Sequence, residues 1–220
     1  MKKILSGLLA AGLVFSLSNV IAAEPQNIAV VKQALIQYHD SGAYDKDMNA
    51  IMKSAMQTLK QRVAENKSNK KKLAIILDID ETSLSNYNDM RHLNFGGTIE
   101  QIQLAEDQGQ DPAIESTLKL YQYAKAHQIA VIFITGRHEN EREATARNLQ
   151  TAGYENWDGL ILRDGEYTKS PAAVYKTAMR KKLTKEGYDI ILNIGDQTSD
   201  LEGGYADKTY KLPNPYYFIP

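Results

Sequence analysis

Asp78 and Asp80 close an apolar run, Leu73-Ala74-Ile75-Ile76-Leu77, and are followed by Glu81 and Thr82. In an extended chain residues i and i+2 point the same way, so the two carboxylates leave one side of the backbone. Carboxylates that close repel each other unless a positive charge lies between them. At the carboxyl end of a parallel strand a metal or a substrate is placed to supply it. One aspartate there would read as an ordinary strand-ending turn; the Asp-x-Asp-Glu-Thr grouping reads as chemistry.

The elements that must position this pair follow from the pattern of the chain. The apolar run itself is the pattern of a strand buried on both faces. Before it, Ile28, Val31, Leu35 and Tyr38 fall on one helical face that Gly42 terminates. Met48, Met52, Ala55, Leu59 and Val63 form a second helical stripe, expected to be core. The stretch Asn66 to Lys72 reads as a solvated linker. After Thr82, residues 83–94 show no regular period, and Phe95-Gly96-Gly97 breaks any element. Such a loop after a catalytic strand is where substrate selection resides, with Tyr87, His92 and Phe95 as candidates.

Asp111-Pro112-Ala113 reads as a helix start, with Asp111 as N-cap, running to about His127. Ile129 to Ile134 is a second buried strand ending in Thr135-Gly136-Arg137, and a charged helix follows from Glu139 to Ala152. Gly159 to Leu162 is a third strand. Ser170-Pro171 opens a helix carrying Tyr175 and Lys176. Tyr188 to Ile194 is a fourth strand, ending in Gly195-Asp196 with Asp200 beyond, and Lys208 to Leu212 a short last one. The tail from Leu212 to Tyr217 is expected to be irregular. Alternating strands and helices predict an α/β fold, a doubly wound parallel sheet of the Rossmann-like kind with a small helical accessory element.

In such a sheet the strand ends share one edge. Asp78, Asp80, Asp196, Asp200 and the Thr135 hydroxyl then surround one crevice. Four carboxylates demand cations, and an oxygen-only donor set suits a hard divalent ion such as Mg2+, with a lysine as the other neutraliser.

Asp78-x-Asp80-x-Thr82, Thr135-Gly136-Arg137, a helix lysine and Gly195-Asp196-x-x-x-Asp200 resemble, in order, the four motifs of the haloacid dehalogenase superfamily. Trp157 to Arg163, Tyr175-Lys176, Gly195-Asp196-Gln197 and Lys211 to Pro215 are similar to its exported acid phosphatases, the group of the class B and C bacterial enzymes and plant vegetative storage proteins. The resemblance runs from about Leu73 to the end. It implies Asp78 as nucleophile, Asp80 as general acid and base, and Thr135 as a ligand of the phosphoryl oxygens. It further implies a metal held by the Asp78 and Asp196 side chains and the Asp80 carbonyl. Asp200 would support the metal's water shell or orient the lysine. Lys176 is the lysine whose setting matches the subgroup; Lys169 is the alternative. A second Asp in the first motif points to a phosphatase or phosphotransferase rather than a dehalogenase or an ion pump. Arg137 is expected to contact substrate or pair with Glu141 or Asp200.

The expected activity is therefore Mg2+-dependent hydrolysis of small phosphate monoesters, of broad specificity, through an aspartyl-phosphate. The alternatives are phosphotransfer to an alcohol, or a non-catalytic storage or binding protein on the same fold. For turnover Asp78 must be ionised while Asp80 carries a proton. A neighbouring carboxylate is expected to raise the Asp80 pKa, giving an optimum on the acid side of neutrality.

The rest of the composition sets limits. A net charge of −1 over 220 residues offers no footprint for nucleic acid or an anionic membrane surface. Lys2 and Lys3, the apolar stretch Ile4 to Leu17 and the small residues Ala22 and Ala23 form a secretory leader, with cleavage after Ala22 or Ala23. With no cysteine in the chain, a lipid-anchored precursor is ruled out and the expected location is periplasmic or secreted. The expected organisation is a leader at 1–23, a helical segment and linker at 24–72, and a core at 73–220 with a cap-like insert at about 83–112. The resemblance also suggests a homodimer.

Overall fold

The computed structural model describes residues 24–66 and 71–219. The expected leader and its cleavage point lie outside the described residues, as does most of the linker. Two helices, α1 (Ile28–Asp40) and α2 (Ala43–Glu65), precede the first strand. Gly42, at φ 78°, makes the turn between them in the left-handed region that glycine enters without steric cost. Met48, Met52, Ala55 and Leu59 of α2 are buried, as the stripe requires. On α1 no residue is fully buried and Ile28 is exposed, so that face packs only through its C-terminal half.

Five parallel strands form one sheet in the order β3-β2-β1-β4-β5, with β1 Lys72–Leu77, β2 Ala130–His138, β3 Gly159–Arg163, β4 Tyr188–Gly195 and β5 Lys208–Lys211. β1 is central, pairing with β2 on one side and β4 on the other. Its side chains alternate between two cores. Leu73, Ile75 and Leu77 pack with α2 and with α5 (Glu115–Ala126), while Ala74 and Ile76 pack with Tyr175 and Leu183 of α7 (Ala172–Lys185). Helices therefore cover both faces, which is the doubly wound arrangement. α6 (Arg142–Thr151) connects β2 to β3, and the single-turn α8 (Thr198–Leu201) follows β4.

Two expectations about the region after β1 are corrected. Residues 83–97 are not an irregular loop: they contain α3 (Tyr87–His92), and α4 (Ile99–Gln108) follows directly. Thr98 caps α4 by accepting from the Gln101 amide while the Gln101 side chain accepts from the Thr98 amide, a reciprocal box that the Gly-Gly before it obscured. Asp111 is not an N-cap. The following helix starts at Glu115 behind Ile114, and Asp111 is instead clamped to Asn148, whose Oδ1 accepts from its amide and whose Nδ2 donates to its carbonyl. The approach is pinned to the turn after β1 by the Ser85 amide, which donates to the Pro112 carbonyl, and by the Leu84–Ala113 bridge.

A third small core joins α3 to the chain's tail. Tyr87 and Met90 pack against Tyr216, with Phe95, Ile102 and Tyr217 at its margin. Tyr87 also stacks on His39 and donates to Asp40 at the end of α1. The insert is thus fixed to the N-terminal helices and the C-terminal tail at once.

Candidate active site

β1 ends where the Asp78 amide donates to the Ile194 carbonyl of β4, 3.0 Å. The chain then folds over itself: the Ile79 carbonyl accepts from the amides of Thr82, Ser83 and Leu84, and Glu81 takes φ 50°. That tight turn holds Asp78 and Asp80 at the carboxyl edge of the sheet. Asp196 and Asp200 arrive from the end of β4 and from α8. Gly195 is needed there, because the Asp200 side chain lies against it where a Cβ would stand.

Lys176 of α7 reaches this edge from below. Its Nζ donates to Asp78 Oδ1 at 2.6 Å and to Asp200 Oδ1 at 2.5 Å, and only 4% of the residue is exposed. Burial alone would push the ammonium toward neutrality, but the Asp200 and Asp78 carboxylates hold its pKa above the usual lysine value. Lys169 is exposed and lies outside the crevice lining. Carboxylate oxygens of Asp78, Asp196 and Asp200 all lie within 4.8 Å of one another. Burial, opposed by Lys176 and reinforced by Asp200 and Asp196, raises the Asp78 pKa well above the ordinary range. Burial and Asp200 raise that of Asp196 too. Three buried carboxylates around one lysine leave negative charge in excess, and their all-oxygen donor set fits a hard divalent cation.

Asp80 sits differently. Arg137 Nη2 donates to its Oδ1 at 2.7 Å, Arg137 Nε to its Oδ2 at 3.2 Å, and Asn86 Nδ2 to its Oδ1 at 2.8 Å. Its side chain is therefore held away from the three-carboxylate cluster. This corrects two expectations. Arg137 pairs with Asp80 rather than with Glu141 or Asp200. The Asp80 pKa is lowered, not raised: burial pushes it up, but the Arg137 charge and hydrogen bonds, with the Asn86 amide, outweigh burial.

Thr135 is fully buried at the end of regular β2 pairing, its Oγ1 accepting from the Arg137 amide at 3.1 Å. Gly136 and Arg137, rather than Thr135, line the crevice. The cavity has a volume of about 490 Å3 and contains Asp78, Asp80, Lys176, Asp196 and Asp200. Its far wall is the insert, through Met90, Ile102 and Glu106, and its rim is the tail, through Tyr217, Phe218 and Ile219. Tyr87, His92 and Phe95 do not line it; Tyr87 and Phe95 pack the small third core instead.

Thr82, Gln197 and Asn214 lie in the motifs read from the sequence, but the sequence assigns no role to them or to Tyr217. Asn214 Nδ2 and Gln197 Nε2 donate to Asp196 Oδ2 at 2.7 and 2.6 Å, and Thr82 Oγ1 to its Oδ1 at 3.3 Å. Tyr217 donates to Glu81 Oε2 at 2.6 Å. Beside Arg137 stand more acids. Burial and the Asp80 charge, against Arg137, push Asp111 up to about 7 and Glu106 up to about 9.

A family model for the HAD superfamily, subfamily IIIB (acid phosphatase), matches residues 1–220. The chain belongs to that subfamily. It is 41% identical over 149 residues to "Acid phosphatase 1" of Solanum lycopersicum, covering 66% of this chain and 58% of the relative. To "Stem 28 kDa glycoprotein" of Glycine max it is 40% identical over 150 residues, covering 66% and 59%. The aligned part is thus less than two thirds of the length of these curated relatives. The class C acid phosphatase from Bacillus anthracis superposes with a TM-score of 0.68 over 86% of each chain at 24% identity, a likeness of fold. The subfamily assignment agrees with the order of the four motifs along the crevice.

Proposed function

We propose that this subfamily IIIB protein hydrolyses small phosphate monoesters, with broad specificity, through a phosphoryl group carried on Asp78. The observation that supports this best is the Lys176 ammonium shared between Asp78 and Asp200, with the Asp80–Arg137 pair in the same crevice. An Asp78 oxygen attacks phosphorus, a P–O bond forms, and the ester P–O bond breaks. The leaving oxygen takes a proton from Asp80, whose lowered pKa confines the protonated form to acid conditions and so places the optimum on the acid side of neutrality. Water then attacks phosphorus, gives its proton to Asp80, and the Asp78–phosphorus link opens to release phosphate. Arg137 and Asn86 orient the Asp80 carboxyl for both transfers, and Lys176 balances charge on the nucleophile and the transferred group. The hydroxyl of Thr135 is assigned to the phosphoryl oxygens, a contact that requires this buried group, which accepts from the Arg137 amide, to open into the crevice.

Asp78, Asp196 and Asp200, with the Asp80 carbonyl, would hold Mg2+. When bound, it supplies positive charge that favours ionised Asp78 and offsets repulsion between carboxylate and phosphate. The segment at about 83–112 is assigned as a cap-like insert, 24–72 as an accessory segment, 73–220 as the core, and 1–23 as a leader removed on export to the periplasm or medium. No helix among the described residues is long and apolar enough to cross a membrane. A homodimer is part of the same reading.

A second reading has one observation in its favour. "Vegetative storage protein 1" of Arabidopsis thaliana is 38% identical over 109 residues, covering 50% of this chain and 40% of that protein. Storage without catalysis needs no charged nucleophile, and here Asp78 and its lysine are intact. The deciding assay is release of phosphate from an aryl phosphate by the purified protein, with chelator and with Mg2+ restored. Turnover should require the cation and fall roughly 10⁴-fold or more in Asp78→Asn, whose amide cannot attack. An inactive wild-type protein that still binds phosphate esters would favour the storage reading, and full activity in Asp78→Asn would remove the nucleophile assignment.

A further inference from the structure

Among the described residues three Lys or Arg side chains line the crevice: Arg137, Lys176 and Arg163. Arg137 and Lys176 are each bound to carboxylates. Arg163 has no carboxylate within 4.0 Å among the described residues. It ends β3, directly opposite His138 in the β2–β3 register. One donor, Nη1, is given to the Ser170 carbonyl at 3.0 Å, and the guanidinium rests 5.6 Å above the Tyr175 ring. Its Nε is buried without a partner, and Nη2 has no hydrogen bond among the described residues. Between Nη2 and the backbone of Gly136 there is no side chain; a Cβ on Gly136 would stand 4.0 Å from that nitrogen.

A guanidinium carries five donors in a planar fork, and leaving them desolvated and uncompensated costs free energy. Here the fork is oriented by the Ser170 carbonyl and the face of Tyr175, which removes much of the entropy cost of binding an anion. We propose that Arg163 is a binding residue for a second anionic group of the substrate, a carboxylate or phosphate that is not transferred. The inference rests on the phosphatase reading. Position argues for the second group over the first. Strands lie about 4.8 Å apart, and β3 is two strands from β1, so the strand ends at Arg163 and Asp78 are roughly 10 Å apart. The group reacting with Asp78 lies where Lys176 already donates at 2.6 Å. Arg163 is tethered on the β3 side of Gly136, suited to hold the remote end of the same molecule.

The test uses matched pairs: glycerol 3-phosphate against 3-phosphoglycerate, and fructose 6-phosphate against fructose 1,6-bisphosphate. In the wild-type protein kcat/KM should favour the member with the extra anionic group by about tenfold, the effect of one charge-assisted contact. Added salt should shrink that preference. Arg163→Met should bring the ratio close to one, and Arg163→Lys, which keeps charge without the fork, should retain part of it. Inhibition by inorganic phosphate, which reports the transferred-group site, should weaken much less than KM for the doubly anionic substrates. No preference in the wild type overturns the proposal. So does an equal loss on both members of each pair, which would place Arg163 on the transferred phosphoryl or in the fold alone. If Arg163→Met does not fold, the Arg163→Lys ratio and the salt dependence decide. If the wild type hydrolyses none of the four, the phosphatase reading fails, and calorimetric binding of the same pairs to the wild type and to Arg163→Lys still tests Arg163.

Discussion

The two sides of the crevice balance charge by different means. On the β4 side Asp78, Asp196 and Asp200 share a single lysine, and burial raises the Asp78 and Asp196 pKa values. On the β2 side Asp80 takes the hydrogen bonds of Arg137, with Asp111 3.8 Å from the same guanidinium, and its pKa is lowered although it too is desolvated. The same residue type at the same sheet edge, two positions apart, ends in opposite electrostatic states. Both stand among other acids, so the difference lies in the donor: one ammonium divided between Asp78 and Asp200 on one side, a bidentate guanidinium aimed at Asp80 on the other. A deficit of positive charge marks where a cation fits, and a completed ion pair marks where a side chain is held in position. This comparison can be broken or sharpened by changing one side at a time.

Of the changes confined to one side of this comparison, the largest effect is expected from Asp80→Asn. Its amide can neither give nor take the proton, so turnover of alkyl phosphates should fall about 10²- to 10⁴-fold. Aryl phosphates, whose leaving group needs less protonation, should lose much less. An equal loss in both series would show that Asp80 only supports the turn. Next is Arg137→Met, which strands a desolvated carboxylate. A loss of about 3–5 kcal/mol in urea unfolding is expected, the cost of removing one member of a buried pair. A loss under about 1 kcal/mol would mean that Asp80 reaches solvent when the arginine is gone.

On the other side the expected sign reverses. Asp196→Asn relieves repulsion among the three carboxylates, so the metal-free protein should melt at the same temperature or higher. In the parent, Mg2+ at a hundredfold its Kd should stabilise by about 2.7 kcal/mol; Asp196→Asn should abolish that shift. A shift that survives the substitution would put the cation elsewhere.

The smallest effect concerns Glu106. Its pKa rises from 4.5 to about 9, chiefly by burial. The folded state then holds a proton that the unfolded chain has released, so stability is full below pH 4.5 and declines progressively as pH rises toward 9. Glu106 keeps part of its surface exposed, so solvent screens most of this linkage; Glu106→Gln should remove the decline, raising the melting point at pH 8 by a few degrees, about 1 kcal/mol, and changing it little near pH 4.5. Equal shifts at both pH values would show that Glu106 is solvated in the folded protein.

Much of this was readable before the fold. Continuous apolar runs ending in Asp78, Thr135 and Asp196, alternating with helical patterns, predict a parallel sheet buried on both faces with one polar edge. Lys176 stood out by its place in a helix before the fourth strand. The misreadings have particular causes. α4 was hidden because Gly96-Gly97 reads as a break, although Thr98 and Gln101 carry the capping signal. Asp111-Pro112 has the residue types of a helix start, but Asn148, 37 positions away, fixes that aspartate instead.

What the sequence determined by itself, then, is the local grammar: which residues extend, which coil, and which carboxylates end strands. What only tertiary structure decided is partnership. Asp80 and Arg137 are 57 positions apart, Thr82 and Asp196 114, and Tyr217 and Glu81 136. Nothing in the spacing of such residues specifies that they meet. A pKa depends on charges within a few ångströms in space, so the state of Asp80 was open until the end of β2 brought the Arg137 guanidinium against it.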